Sequence, residues 1–596
     1  MFALACGSNK GVGGDDAPPA LDGLVSITVT PPDQTLVIVQ GQPATSAYTA
    51  LGTFDDGRVV DITQHADFSL EEYTLGIFDK ARLTTATDHG GRTNVVARAN
   101  GIEGATPVTI RFQQTYSDPN SNLPGDPAAP FSGPADMSRA PSLVYPNNNV
   151  LLPPNLGRLE LHFRPGPANT LFELTFANSV TDLKVYLRCT MPLNGGCIYQ
   201  PDPQVWQWLA NTNRGGDAVA WSLRATDDNG TAVGASSSMN IKFAPDDVTG
   251  GIYYWTTTLE AIMRFDFGSQ TQTVAELFVD SSASGGTCIG CHALSRDGKK
   301  MVAEAGGQND GRLLLLDVAT KTPMVPFPTA AKSNFESWNP DGSAYVGVYG
   351  DAGATNFELM LFDGNTGALT GSIAAGGTSA NPTNHPDWSP SGDRIAYVNV
   401  GVKNTLQRMY NGEIRTVTNV GGTWQPYSVL VPRVAGKNRY YPAFAPDSRM
   451  LVFNESTCAN GNTGGDCDAD TDPTAKLYAV DAVNGGAITD LASANAPGIA
   501  DGNVTRLSNS FPKWNPFVFR SSKTGGRLAW VTFSSTRKYG LRSPPTGGTL
   551  LWMAAVDLDA PAGTDPSAAA FALPFQDLTT SNHIAQWTTQ VVPPLQ

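Results

Sequence analysis

Between residues 294 and 514 the chain returns five times to one short phrase. An aromatic or apolar residue and a polar one precede a Pro/Arg-Asp-Gly-like turn, and a hydrophobic strand follows. The copies begin at Leu294 (LSRDG), Trp338 (WNPDG), Trp388 (WSPSG), Phe444 (FAPDS) and Trp514 (WNP). Runs such as MVAEAGG, AYVGVYG, RIAYVNV and MLVFNES come next, then further strand pairs such as RLLLLDVATKT or KLYAVDAVNGG. Turn residues at a fixed offset between period-two strands predict four-stranded blades, each leaning on its neighbours. IYYWTTT and IMRFDFG open this region, and His583-Ile584-Ala585-Gln586-Trp587 lies near its end. That arrangement predicts a sixth blade shared between the two ends, which closes the ring and leaves no free edge.

These units resemble the WSPDG repeats of the TolB family, which build a six-bladed β-propeller. The resemblance implies a propeller over 250–596 whose channel mouth and blade faces dock partner proteins. Upstream, 24–112 holds about seven short alternating segments, among them LVSITVTPP, YTALGTF, NVVARANG and TPVTIRF, at β-sandwich spacing. Their order, with Asp56-Gly57 and Asp61-Ile62-Thr63 its most specific parts, resembles the bacterial group 2 immunoglobulin-like domain, a spacer or adhesion unit. Residues 113–136, rich in Pro, Asn, Ser and Asp, read as a linker. Residues 137–247 alternate again and resemble an immunoglobulin or fibronectin III sandwich by pattern alone. The expected fold class is all-β: two immunoglobulin-like β-sandwiches followed by a six-bladed β-propeller. With 61 Gly, 43 Pro and only 16% charged residues, the composition suits short strands and many turns. A formal charge of −15 offers no footprint for nucleic acid or an anionic membrane surface.

Cysteine spacing carries the chemistry. Cys189 and Cys197, and Cys458 and Cys467, flank Gly/Asn-rich turns and are expected as disulfides of an oxidising compartment, buried free thiols being the alternative. Ala3-Leu4-Ala5-Cys6-Gly7 resembles a bacterial lipobox, with residues 7–20 as the tether behind a lipidated Cys6. Only five residues precede Cys6, so this reading requires a signal peptide that begins upstream. It places the protein in the periplasm or at the cell surface, held to the outer membrane by its lipid alone.

Cys288-Ile289-Gly290-Cys291-His292 is CxxCH, the attachment signature of c-type haem. Two thiols add across the porphyrin vinyl groups, and the adjacent His292 is held beneath the iron as an axial ligand. A redox CxxC, a structural disulfide and a zinc half-site are the alternatives; zinc would need two more closely spaced soft ligands. Aligning the repeats sets Cys291 opposite Phe335, His385, Tyr441 and Phe511, so the motif should enter an innermost strand at a channel mouth. His385 and His583 are the candidate sixth ligands, with His583 preferred because its blade adjoins the motif, while Met301 is expected in the core. Two histidines would make a low-potential electron carrier, and an open site would permit peroxidase-like chemistry. The expected partner is a redox or envelope protein. His65 and His89 read as loop residues and His162 as a plain strand residue. Asp468, Asp470 and Asp472 form a DxDxD without the Gly and Glu of an EF-hand, reading as a solvated acidic loop with calcium as the alternative. HExxH, a P-loop, GxSxG and a strand-linked GxGxxG are all missing, so hydrolase and nucleotide-binding readings find no support.

Overall fold

The computed structural model describes residues 21–593 apart from 270, 308–309, 404, 407, 459–466, 468–471, 505–506 and 521–524. Cys6, Asp468 and Asp470 therefore lie outside the described residues. The chain is all-β and divides into two units, 1–114 with 179–182, and the remainder.

In the first unit Leu24–Thr30, Thr49–Phe54 and Val59–Asp61 form one sheet. Gly91–Ala99 pairs with Asp67–Leu70 and with Ile102–Ser117, which Gln34–Val39 joins in parallel. Alternation along these strands sends Ile27, Val29, Ile38, Ala50, Val95 and Ile110 inward. His65 is exposed in a short 3₁₀ turn, and His89 meets Asp88 at 2.8 Å.

The second unit holds the other sandwich and the propeller. One sheet of the sandwich runs Val150–Leu152, Met239–Phe243, Val219–Thr226, Leu171–Ala177 and Thr181–Leu187. The other runs Ser142–Tyr145, Leu161–Arg164, Gly196–Tyr199 and Met191–Leu193. Two features differ from expectation. Much of 113–136 is packed rather than a free linker: the strand Ile102–Ser117 continues into it, and Phe131 is buried against Leu171, Tyr186 and Val233. A helix, Pro203–Asn213, also interrupts the strands. Asp202 caps it by accepting from Gln204 N–H, Pro203 occupies its first turn, and Val205, Trp206, Leu209 and Ala210 face the core.

Six sheets make the propeller. Blades 1 to 5 begin with innermost strands Ile289–Leu294, Asn334–Trp338, Thr383–Trp388, Asn438–Phe444 and Asn509–Trp514. Blade 6 is shared as expected: Asn582–Thr588 pairs antiparallel with Gly251–Thr256, followed outward by Ala261–Asp266 and Glu276–Val279. The six inner strands touch in cyclic order. The repeat's turn residue is left-handed in each of the first four copies: Gly298 (φ +74°), Gly342 (+69°), Gly392 (+80°) and Ser448 (+59°). Its N–H closes the turn onto the carbonyls of Ser295, Asn339, Ser389 and Ala445. The repeat's aromatic residue has its own task. Trp338 Nε1–H donates to Ala293 O of blade 1 at 3.0 Å, and Trp514 Nε1–H donates to Ala443 O of blade 4 at 3.1 Å. Trp338→Phe removes this bond and part of the buried indole, so a loss of about 1–3 kcal/mol is expected in chemical denaturation.

Candidate functional site

Each inner strand breaks its pairing once. Between Asn334 and Ser337, Asn384 and Asp387, Tyr440 and Ala443, and Ser510 and Lys513 the register shifts, as a β-bulge requires. The first bulged residue is left-handed every time: Phe335 (φ +54°), His385 (+43°), Tyr441 (+48°) and Phe511 (+53°), with Ile584 (+49°) in blade 6. Such a backbone is uncommon for residues with a Cβ, and here it recurs blade by blade. Blade 1 departs from the rule. Its break falls one residue earlier in the repeat frame, between Ile289 and His292, and Cys291 is not left-handed.

The bulges turn one side chain per blade onto the propeller axis. Phe335 meets His385 edge-on at 4.4 Å, His385 meets Tyr441 at 4.1 Å, and Tyr441 stacks on Phe511 at 4.1 Å. Cys291 and Phe335 pack against the cluster of Tyr441, Phe511 and Ile584. The repeat alignment thus placed Cys291 opposite the residues it joins in space. The ring residues line a small cavity of about 40 Å³, to which His292, Glu336, Lys513 and Gln586 also contribute.

His292 is 3% exposed; Nε2 faces Tyr253 O at 3.3 Å, and Nδ1 has no hydrogen-bond partner. Burial holds its pKa at about 4, so the imidazole is neutral. His385 is also 3% exposed, neither ring nitrogen has a partner, and burial lowers its pKa well below the usual value. Cys288 and Cys291 stand partly exposed and outside both disulfides. Burial, with Glu260 nearby, pushes the Cys288 thiol up. His583 is elsewhere. It is hydrogen-bonded to Ser581 Oγ at 3.0 Å and Thr549 Oγ1 at 3.2 Å, and Ile584 takes the axial place in its blade. Met301 is buried in the blade core, as expected.

Charged groups not singled out by the CxxCH motif complete the site. Glu304 accepts from Phe335 N–H at 2.9 Å and from Asn334 Nδ2, and beside it the carboxylate oxygens of Glu336 have no hydrogen bond of good geometry. Burial raises both carboxyls well above their usual range, Glu304 further because of Glu336. Lys513 lies 3.7 Å from Asp387, whose other oxygen accepts from Phe444 N–H at 2.8 Å. A signal was available for Glu336, whose repeat position holds Pro in blades 3, 4 and 5 and Ala in blade 6; Asp387 and Lys513 share the next position, which holds Ala in blades 1 and 4.

The expected disulfides are present, Cys189–Cys197 and Cys458–Cys467, with Cα separations of 5.5 and 5.1 Å. Asp472 is buried and accepts from Thr474 N–H and Oγ1–H, and its neighbours Cys458 and Cys467 are bonded to each other. Among the described residues no other cluster of three ligating groups converges, and no helix is long and apolar enough to cross a membrane.

No protein-family model and no curated protein matches the sequence. Solved structures do resemble the chain. TolB from Acinetobacter baumannii is 13% identical over 63% of this chain and 80% of its own, at a TM-score of 0.35. Hydrazine synthase from Kuenenia stuttgartiensis is 12% identical over 57% and 74%, at 0.31. An oligogalacturonate lyase in complex with manganese is 14% identical over 49% and 67%, at 0.28. The six-bladed ring itself rests on the strand pairing above.

Proposed function

We propose that the propeller carries one covalent c-type haem, anchored by Cys288 and Cys291 with His292 as an axial ligand, and serves as an electron carrier outside the cytoplasm. The observation that carries this reading is an imidazole buried in the wall of the axial cavity, Nε2 on Tyr253 O and Nδ1 without a hydrogen bond of good geometry, directly after two thiols outside either disulfide. Two thiols followed by a neutral imidazole are the donor set of a c-type haem; the axial cavity of about 40 Å³ does not itself hold a porphyrin, so the group would have to lie against the partly exposed thiols. Cys288 and Cys291 are not bonded to each other in the structure. The other four described cysteines are paired, which supports an oxidising compartment, where haem attachment also takes place. A lipid anchor at Cys6 and a redox or envelope partner remain part of the proposal. When bound, haem supplies a one-electron iron couple. Of the chain's own residues, Cys288 and Cys291 tether the group, His292 presents a neutral nitrogen, and Phe335, Tyr441 and Phe511 wall the axis against water.

A second reading is a TolB-like docking scaffold without haem. The aromatic ring favours it, being packed at 4.1–4.4 Å across the axis. Co-expression with a cytochrome c maturation system separates the two. The pyridine haemochrome spectrum should show one haem per chain, retained on a denaturing gel and abolished in Cys288→Ser/Cys291→Ser. Protein that emerges without covalent haem would leave the scaffold reading in place.

A further inference from the structure

Past the aromatic ring, the inner strands enclose a second cavity on the axis, of about 130 Å³. Trp338, Trp388, Phe444, Trp514 and Trp587 line its wall, and its charged lining is Arg296, Glu336, Asp387 and Lys513. Glu336, Lys513 and Gln586 line the smaller cavity as well, so they form the partition between the two. We infer that this second cavity binds a small organic ammonium ion, its charged head on Glu336 and its alkyl part among the aromatic rings. Neither Cys288 nor Cys291 lines it, so the site does not depend on the haem reading.

The charges of the lining point to a cation at Glu336. Arg296 Nη2–H donates to Pro516 O at 2.7 Å. Lys513 stands 3.7 Å from one oxygen of Asp387, and the other oxygen accepts from Phe444 N–H. Glu336 is 6% exposed, yet neither of its carboxylate oxygens has a hydrogen bond of good geometry. Buried polar groups are almost always bonded, and a buried carboxylate left without donors is costly. Beside it Glu304 is a second buried carboxyl, already engaged by Phe335 N–H and Asn334 Nδ2. The fold does not ask for an acid at the place of Glu336. The equivalent residues are Pro386, Pro442 and Pro512 in blades 3 to 5 and Ala585 in blade 6. A cation seated on Glu336 supplies the missing donor and offsets the repulsion between the two carboxylates.

A metal ion is the poorer occupant. Calcium takes about 6–8 oxygen ligands, and among the described residues no three ligating groups converge here. Five aromatic rings suit an organic cation instead, which gains cation–π attraction as well as apolar contact. The volume is close to the ~150 Å³ that takes up benzene, so the ligand has about five or six heavy atoms.

Calorimetric titration of the full-length protein with butylammonium chloride tests the site. It is run at pH 8, above the value of about 7 to which burial raises Glu336. A Kd of about 1 mM or tighter is expected. Butanol, which lacks the charge, and ammonium chloride, which lacks the chain, should each bind about tenfold more weakly or worse. Glu336→Gln should cut the affinity for butylammonium by about tenfold or more and leave that for butanol unchanged. Butanol or ammonium binding as tightly as butylammonium, or an affinity that Glu336→Gln does not alter, would overturn the inference. So would the lack of any binding at ~10 mM butylammonium. Calcium chloride binding in its place, and lost in Glu336→Gln, would overturn it in favour of a metal ion.

Discussion

Gly540→Ala should weaken the joint between the second sandwich and the propeller by about 3–5 kcal/mol, an unusually large effect for one methyl group. Gly540 has φ +55°, and a Cβ there would stand 2.0 Å from His162 Nδ1. That nitrogen accepts from Leu541 N–H at 2.9 Å, so Nε2 carries the proton and donates to Glu160 Oε2 at 2.8 Å. Arg542 grips the same carboxylate with two bonds, at 2.9 and 3.0 Å. Around this chain Tyr145 packs on Tyr539 at 4.9 Å and Tyr145 Oη accepts from Ala572 N–H at 3.1 Å. The added methyl must push the imidazole off Leu541, and His162 is fully buried with no water to replace the bond. Gly547→Ala is the control. Its φ is +72° but nothing lies within 4 Å of the new Cβ, so only the backbone cost of about 1 kcal/mol remains. Urea midpoints of the two variants measure the difference; equal losses would show that the clash with His162 is relieved without harm.

What could be read from sequence follows the range of the interactions. The blades were legible because each turn is local: Gly298, Gly342 and Gly392 announce a left-handed residue by type, and Trp338 and Trp514 recur at fixed offsets. The disulfides were legible because each pair spans one short turn. The left-handed bulge was not. Phe335, Tyr441 and Phe511 carry no local preference for positive φ, and only the neighbouring blades hold them there. His162 read as an ordinary strand residue, and it is one, but its decisive partner Leu541 is 379 residues away. The choice between His385 and His583 turned on adjacency of blades in the sequence reading. Which imidazole faces the axis depends on a one-residue offset within the bulge. The helix Pro203–Asn213 was a missed local signal, since Asp202 and Pro203 are a cap and a first-turn residue in plain view.

Acidification should remove stability in two separate windows. Burial holds His583 at about 4 against an ordinary 6.5. The unfolded chain therefore takes up that proton first, and stability falls as pH drops from 6.5 to 4, by about 3 kcal/mol. Below 4 both states are protonated and nothing more is lost from this group. Glu160 acts lower. Burial alone would raise its pKa, but the bonds from His162 and Arg542 outweigh it and hold the carboxyl at about 2, against 4.5. Its contribution, again about 3 kcal/mol, is present above 4.5 and lost as pH falls towards 2. Glu304 and Glu336 run the other way. Their raised pKa values mean that the folded state binds protons more readily, so they destabilise at neutral pH and the penalty fades on acidification. The opposing slopes overlap with that of His583, so the wild-type curve conceals them and single variants must separate them. His583→Gln should reduce the loss between pH 6.5 and 4 by its own share, since His162, His292 and His385 are also held low by burial and lose stability in that window, while leaving the lower window intact. Glu160→Gln should shrink the lower window by its own share, other carboxyls such as Glu173 and Asp297 also being held low, and Glu336→Gln should raise stability at pH 8 because it removes the charge of a buried carboxylate whose oxygens have no hydrogen bond of good geometry. Denaturant midpoints from pH 8 to pH 2.5 report all three. A destabilised Glu336→Gln at pH 8 would mean that this carboxylate has a partner on the axis, which is the behaviour of a group held for a bound ligand rather than merely tolerated by the fold.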